Sequence, residues 1–504
     1  MSFKNLILVL IVVYSETGNI FSQEFKDITI TGTEQKVEPM TGIVFWKGER
    51  TNTEAISLEF SYMLFNKIVK QKGDYDWSKV DAILDDIASR KHQAILRFRF
   101  TYVGKKTSVP DYIKNLSDYE EIEGTSEGEK TWFPDWRHKE LQDFTLDFYQ
   151  KFAERYDNDP RLAFVQVGFG LWAEYHIYDG PFILGRTFPG KDFQEKFFYK
   201  LQNSFINTPW SISIDAADDT YSPFDVTPDL LKIHFGNFDD SFMCEDHGEY
   251  NEESWNFFDK DDRYKYAPAG GEFSYYSDFD QEHVLDLPNG SYGKPYEDFA
   301  KKFKITYIIG NDQPDYQPMS RIKEASMASG YRFKIESFKI SNSKSKIIIK
   351  NVGVAPIYYD AYPSVNGIRS TESLKGLMPD ETKEFQIDSG GNDPKFSIEC
   401  DHLVEGQTIG FIGNDGSLGT LDLKKSEFQI YPTFLSSGDF LKIRNNNQAN
   451  GNSIVKIHSM KGEEIFKKNY RNTTAINTIS IKSGIYIITV FNDQFYFTKK
   501  ILIK

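Results

Sequence analysis

Cysteine is nearly absent from this chain of 504 residues, which has two, Cys244 and Cys400. They fall in different expected domains, so no pairing is expected, and no Cys or His spacing matches a zinc site. Positive charge is also in deficit. Lysine and arginine total 59 against 74 aspartates and glutamates, a formal net charge of −15. Nucleic acid and anionic membrane surfaces attract basic patches, so neither is expected as a partner. Long apolar runs are missing too. Only Leu6 to Tyr14 stands out, and it is too short to span a bilayer, so no transmembrane span is expected. There is no Gly-rich phosphate loop, no Gly-x-Ser-x-Gly elbow and no Rossmann fingerprint opening a helix. No cofactor is expected.

Aromatic residues are abundant, at 15% with 42 Phe and 29 Tyr. Such a surplus fills cores but also makes stacking platforms for sugar rings. The apolar run near the N-terminus follows Lys4 and precedes small and polar residues. That is the pattern of a signal peptide over 1–23, and it implies a secreted, soluble protein.

From 24 to 330, short apolar runs alternate with amphipathic stretches, the signature of repeated βαβ units. The runs at 42–46, 56–60, 94–98, 163–168, 210–215, 231–235, 266–272 and 305–309 read as eight strands. Helices are expected near 76–87, 138–156, 193–205, 252–264 and 296–303, and a polar insertion at 103–135 follows the third strand. The fold class is therefore α/β, a (β/α)8 TIM barrel. After 331 the helical period vanishes. Short β-rich runs separated by Gly, Asn, Asp and Pro predict an all-β sandwich over 331–425, and a further all-β segment covers 428–504.

A barrel of this kind carries its chemistry at the C-terminal ends of its strands. Glu174 follows the fourth strand and Glu272 the seventh. Cleaving a glycosidic bond needs a proton for the leaving oxygen and a negative group or activated water for the ring carbon, which two carboxyls of unlike pKa can supply. Glu174 sits between Trp172 and Tyr175, an apolar setting expected to desolvate it as an acid requires. Glu272 follows Gly270-Gly271, which permits close packing and room for a sugar ring.

Other strand-end residues are candidates for binding substrate: Trp46, Arg97, Trp172, His176, His234, Asn237 and Tyr275, with Trp132 and Trp136 in the insertion. Arg97 shares a face with Arg99 and is a plausible partner for the nucleophile. Asp215, Asp239, Asp240, Asn311 and Asp312 could line a subsite or cap helices. Asp218, Asp219 and Asp225 read as a solvated acidic loop rather than a calcium site, and no metal is expected. Lys47, Arg50, Lys105, Lys106 and Arg137 leave acidic glycans open.

Three resemblances add to this. Tyr431-Pro432, Val455-Lys-Ile-His-Ser-Met-Lys-Gly462, Ser483-Gly-Ile-Tyr-Ile-Ile488 and the basic-apolar tail resemble the C-terminal sorting domain of the bacterial type IX secretion system. That implies export to the surface or outside, with the secretion machinery as a partner. Gly170-Leu-Trp-Ala-Glu-Tyr-His176, Gly270-Gly-Glu272, Gly73-Asp-Tyr-Asp-Trp77 and Gly330-Tyr-Arg332 resemble a group of secreted bacterial barrel proteins followed by a small sandwich, largely without assigned activity. The barrel also resembles the large clan of retaining glycoside hydrolases. That likeness implies Glu174 as acid/base and Glu272 as nucleophile, although Ala173 stands where the clan usually has Asn. A secreted glycoside hydrolase acting on a poly- or oligosaccharide is the expected function. The alternatives are a non-catalytic carbohydrate-binding barrel and a barrel with lyase or inverting chemistry.

Overall fold

The structure, a computed structural model, describes residues 24–33, 35–415, 428–432, 434–445, 452–460, 463–471, 473–491 and 496–504. The expected signal peptide lies outside the described residues. Eight parallel strands close a barrel: β1 Gly42–Trp46, β2 Leu58–Leu64, β3 Gln93–Arg99, β4 Leu162–Val167, β5 Trp210–Ser213, β6 Gly236–Phe242, β7 Ala269–Phe273 and β8 Tyr307–Ile309. Each pairs with its neighbour in sequence, and β8 closes on β1 with Tyr307 opposite Gly42.

The strands are buried on both faces, so they read as unbroken apolar runs rather than alternations. All six residues of β4 are buried. The helices bury one stripe each. In α1 (Ser78–Ser89) Val80, Leu84 and Ile87 face inward, and in α2 (Lys139–Tyr156) Leu141, Phe144, Phe148 and Phe152 do so. A third helix, α3 (Lys191–Ser204), packs its own Phe193, Phe197 and Phe198 against the same shell. Much of the aromatic surplus is therefore core. Each such buried side chain contributes about 1.5–3 kcal/mol.

The sixth strand lies elsewhere than the sequence suggested. The run expected to form it, 231–235, instead begins inside a 3-10 turn, Pro228–Lys232, whose proline at the first helical position presets the turn. The strand begins at Gly236, where a Cβ would lie 2.2 Å from the carbonyl oxygen of Pro268. The second strand also runs further than expected, to Leu64. The insertion after β3 holds a hairpin, Ile122–Ser126 with Glu129–Phe133, whose turn uses positive φ at Glu127 (50°) and Gly128 (76°).

Beyond the barrel, β9 Phe333–Ile340, β10 Ser345–Asn351 and β13 Thr382–Ile387 form one sheet, and β11 Ala361–Val365, β12 Ile368–Arg369 and β14 Phe396–Cys400 form a second. The short strand Lys26–Asp27 pairs with β9, so the first described residues join this sandwich rather than the barrel. One continuous core links sandwich and barrel: Val44, Leu58, Phe60, Phe164 and Tyr307 pack with Phe333, Ile335, Tyr358 and Tyr359. Tyr359 donates to the carbonyl of Ala163 (2.5 Å), and His402 Nε2 donates to that of Leu162 (2.9 Å). These carbonyls begin β4, so the sandwich seals the N-terminal end of the barrel, opposite the strand ends where chemistry is expected.

The described residues between 428 and 504 form two further sheets, of three and five strands, around a separate core that includes Leu441, Val455, Ile457, Ile488 and Val490. Among the described residues no helix is long and apolar enough to cross a membrane.

Candidate active site

The segment after β4 folds back on itself. The N–H groups of Phe169 and Gly170 donate to the carbonyl of Glu174 (3.0 and 2.8 Å), and Leu171 N–H donates to that of His176 (3.0 Å). Glycine is required here, because a Cβ on Gly170 would lie 1.9 Å from the His176 carbonyl oxygen and one on Gly168 2.1 Å from that of Ala173. Trp172 (φ 56°) and Ala173 (φ 59°) are both left-handed, at a cost of about 1–2 kcal/mol each. This strained loop aims Glu174 and His176 into a cavity of about 870 Å³ at the C-terminal ends of the strands.

Trp46, Tyr62, Trp172, Tyr178, Tyr275 and Tyr276 form aromatic walls around that cavity. Glu174, His176, Asp215, Asp240 and Glu272 provide its titratable groups, Asn311 and Asp312 close one side, and Glu127 reaches in from the hairpin tip. Glu127 is fixed there by Tyr178 OH and by Trp172 Nε1 (3.3 Å). A larger groove, about 1160 Å³, runs along α2 and α3, but it lies on the helix shell, away from the strand ends.

Glu174 is 4% exposed and its Oε1 accepts from Arg97 Nη1 (3.0 Å). Arg97 is itself 1% exposed, as a buried guanidinium must be when paired. It also donates Nε to Gln166 Oε1 (2.9 Å) and Nη1 to the carbonyl of Trp172 (3.2 Å), and its Cζ lies 4.3 Å from the Phe238 ring centre. Gln166 in turn donates to Tyr307 OH (2.8 Å). Arg97 was expected beside the nucleophile, in the role given to Glu272, yet its ion pair is with Glu174.

Glu272 stands differently. Its Oε1 is buried without a hydrogen-bond partner among the described residues. Burial pushes its carboxyl up to about 8, with some relief from Arg97 and further elevation from the charges of Glu174 and Asp312. The two glycines before it serve the protein's own packing: a Cβ on Gly270 would strike the Tyr307 ring at 2.4 Å, and one on Gly271 the Asp239 carbonyl oxygen at 2.2 Å. Tyr175, expected to flank the acid, points into the core and donates to Gln194 (2.8 Å).

His176 joins three carboxyls. Its Nδ1 is 3.1 Å from Asp215 Oδ2, and its Nε2 is 3.5 Å from Glu174 Oε2 and 3.9 Å from Asp240 Oδ2. Burial opposes protonation of the ring, but the charge of Asp215, aided by Glu174 and Asp240, outweighs it and holds an imidazolium well above the usual histidine range. Burial would also raise Asp215, but His176 brings that carboxyl below its ordinary value. Asp240 is pushed the other way, well up, by burial and by the charges of Asp215 and Glu174. Glu174, His176, Asp215 and Asp240 each offer a ligand-type atom within 4.8 Å of the others. A metal ion there would compete with the imidazolium for the same carboxylates, since histidine binds metals in its neutral form. Asp225 ion-pairs with Lys191 (2.7 Å), away from this group.

Of the residues singled out from sequence, Trp46, Trp172, Glu174, His176, Asp215, Asp240, Glu272, Tyr275, Asn311 and Asp312 line one cavity, and Arg97 underlies it. Trp136 does not: it is fully buried against Phe100, Phe169 and Phe193, where it pins the insertion to the barrel. Trp132 lies on the hairpin between the ammonium groups of Lys106 and Lys130, at 5.2 and 5.0 Å, outside the lining. His234 precedes β6, so it sits at the opposite end of the barrel, stacked on Tyr266 at 4.1 Å. Asn237, near the start of β6, is 2% exposed and also outside the lining. Sequence reasoning overlooked Tyr62, Glu127, Tyr178 and Tyr276. Placing the end of β2 at Leu64 would have exposed Tyr62 as a strand-end residue, whereas nothing in the insertion marks Glu127.

Residues 429–504 match the family described as "Secretion system C-terminal sorting domain". No curated protein matches the chain. Among solved structures, an α-galactosidase from Thermus thermophilus is similar at 10% identity and TM-score 0.33, over 63% of this chain and 66% of that one. An α-galactosidase from Geobacillus stearothermophilus gives 10% and 0.32, over 71% and 56%. An endoglucanase from Pseudomonas stutzeri gives 10% and 0.32, over 57% and 94%. The chain thus spans less than two thirds of either galactosidase. Overlaps this weak carry no functional weight, and the barrel stands on its own strand topology.

Proposed function

We propose that the barrel is a glycoside hydrolase that cleaves a poly- or oligosaccharide with two glutamates and is exported by the type IX machinery. One observation carries this reading. Glu174 and Glu272 enter a single aromatic-walled cavity from β4 and β7 in opposite electrostatic settings, one ion-paired and the other holding a proton near neutrality. The sorting-domain match supports export.

The environments favour a division of labour opposite to the one the clan resemblance implies. With a carboxyl near 8, Glu272 carries the proton that the leaving oxygen needs. Glu174, ion-paired with Arg97, is the group to meet the cationic ring carbon, as a nucleophile in a retaining reaction. The rings of Trp46, Tyr62, Trp172 and Tyr275 offer faces for sugar C–H groups.

The test begins with purified protein on a glycan panel, reading new reducing ends. Glu174→Gln and Glu272→Gln should each lower cleavage about a thousandfold or more while binding persists. Roles separate with an activated leaving group. Glu272→Gly should still cleave a dinitrophenyl glycoside, which needs no acid, and Glu174→Gly should not. The reverse pattern would restore the order implied by the clan. Full turnover in either glutamine variant would end the assignment. Binding without turnover in the wild type would make this a carbohydrate-binding barrel.

A further inference from the structure

The cavity is acidic well beyond what a two-glutamate mechanism needs. Besides Glu174 and Glu272, carboxyls of Asp215, Asp240, Asp312 and Glu127 face it, while His176 is the single cationic side chain among its described lining residues. That imidazolium is divided among three carboxyls at 3.1, 3.5 and 3.9 Å. Arg97 lies beneath, committed to Glu174 and Gln166. Beside these, Glu272 takes a hydrogen bond from the Trp46 side chain, but its buried Oε1 has no hydrogen-bond partner among the described residues, so one carboxyl oxygen of the lining is left unmatched. Three of the five loop bases that could have welcomed acidic sugars are already paired. Lys47 meets Asp86 (2.9 Å), Arg50 meets Asp315 (2.8 Å) and Arg137 meets Asp135 (2.9 Å). Lys106 lies over Trp132, and none of these residues lines the cavity.

We infer that the sugar seated in this cavity carries a free amine, and that Asp215 and Asp240 hold its ammonium. This rests on the hydrolase reading for the role of the cavity, but it concerns recognition and not turnover. An ammonium brings three donors and one positive charge to carboxyls that share too little of either. A uronate or sulfate group would meet like charge, and an N-acetyl group would leave the excess unrelieved. Asp240, which burial and the neighbouring charges of Asp215 and Glu174 drive to keep its proton, gives it up when a cation arrives. Binding an amino sugar therefore releases a proton, whereas binding its N-acetyl counterpart does not.

The experiment uses the full chain as Glu272→Gln, which preserves the shape and charge of the protonated glutamate and blocks cleavage. Calorimetry at pH 6.5 with EDTA, in two buffers of different ionisation enthalpy, compares glucosamine and galactosamine tetramers with their N-acetylated counterparts and with a galacturonate tetramer. At least one amine tetramer should bind tenfold or more tighter than its N-acetyl form, with buffer-dependent heat marking proton release, and galacturonate should not bind. Adding Asp240→Asn should bring the amine tetramer down to the N-acetyl level and remove the proton release. Equal or tighter binding of the N-acetyl forms, binding of galacturonate, or no binding of either amine tetramer at millimolar concentration would overturn the inference. If Asp240→Asn does not fold, the buffer dependence in the parent variant still decides. Amine preference in a protein whose wild type cleaves nothing would sink the hydrolase reading alone. Cleavage of neutral glycans without amine preference would sink this one alone.

Discussion

Glu272 and Glu174 show how little residue type says about electrostatic setting. Both are glutamates at strand ends, and both line the same cavity. The Arg97 guanidinium ion-pairs with Glu174, while its charge only partly relieves Glu272. The elevated carboxyl of Glu272 has consequences away from catalysis. Its folded value of about 8 lies above the ordinary 4.5, so the native state keeps a proton that the unfolded chain releases. Stability should therefore fall as pH rises from about 4.5 to about 8, and level off beyond. Glu272→Gln, neutral throughout, should flatten that slope in a urea-unfolding series across pH. Under the proposed hydrolase reading, kcat/KM should decline above about pH 8 as the acid loses its proton, and a profile with no alkaline limb there would argue against Glu272 as the acid.

At the scale of elements, the loop after β4 and strand β6 decide the site. Ala173 is left-handed but fully buried, so Ala173→Gly relieves about 1–2 kcal/mol of backbone strain and gives up about as much in methyl burial and chain entropy, and Tm should stay within a few degrees of the wild type. Gly170→Ala, by contrast, should disrupt the loop, because the new Cβ would collide with the His176 carbonyl. Loss of cleavage with the fold intact would show that the loop exists to hold Glu174. Strand β6 escaped sequence reasoning for a physical reason. Its residues Gly-Asn-Phe-Asp-Asp-Ser-Phe look polar, yet Asp239 is buried and accepts from Trp255 Nε1 (2.8 Å) and Asn251 Nδ2 (2.8 Å), with His247 Nε2 at 3.1 Å. Those partners come from the helical segment that follows and leave no trace in local hydrophobicity. The more apolar Leu231–Phe235 stretch took its place, and His234 went with it to the wrong end of the barrel. Helices whose stripe is set by their own spacing, such as α1, were legible.

For the whole molecule, the sandwich acts as a plug at the N-terminal end of the barrel, and His402 sits in that joint. It stacks on Tyr359 at 3.6 Å and donates to the Leu162 carbonyl. Burial lowers it to about 4, against smaller opposing effects from Leu162 and Asp159. The unfolded chain takes up a proton near the ordinary 6.5 that the joint refuses, so stability should be lost as pH falls from about 6.5 toward 4. Thermal unfolding of His402→Asn across that range should show a shallower acid slope than the wild type. What the sequence settled by itself was whatever depends on near neighbours: the βαβ rhythm of a closed barrel, the change to β texture after it, the tail motifs, and two glutamates at strand ends. Tertiary structure alone decided that Arg97 of β3 pairs with Glu174, that Glu272 keeps its proton, and that His176 draws Asp215 and Asp240 into the same cavity. Those outcomes turn on charge separations of 3–4 Å between strands far apart in the chain. Coulomb energies vary steeply with such distances and with the solvent excluded around them, and sequence spacing encodes neither.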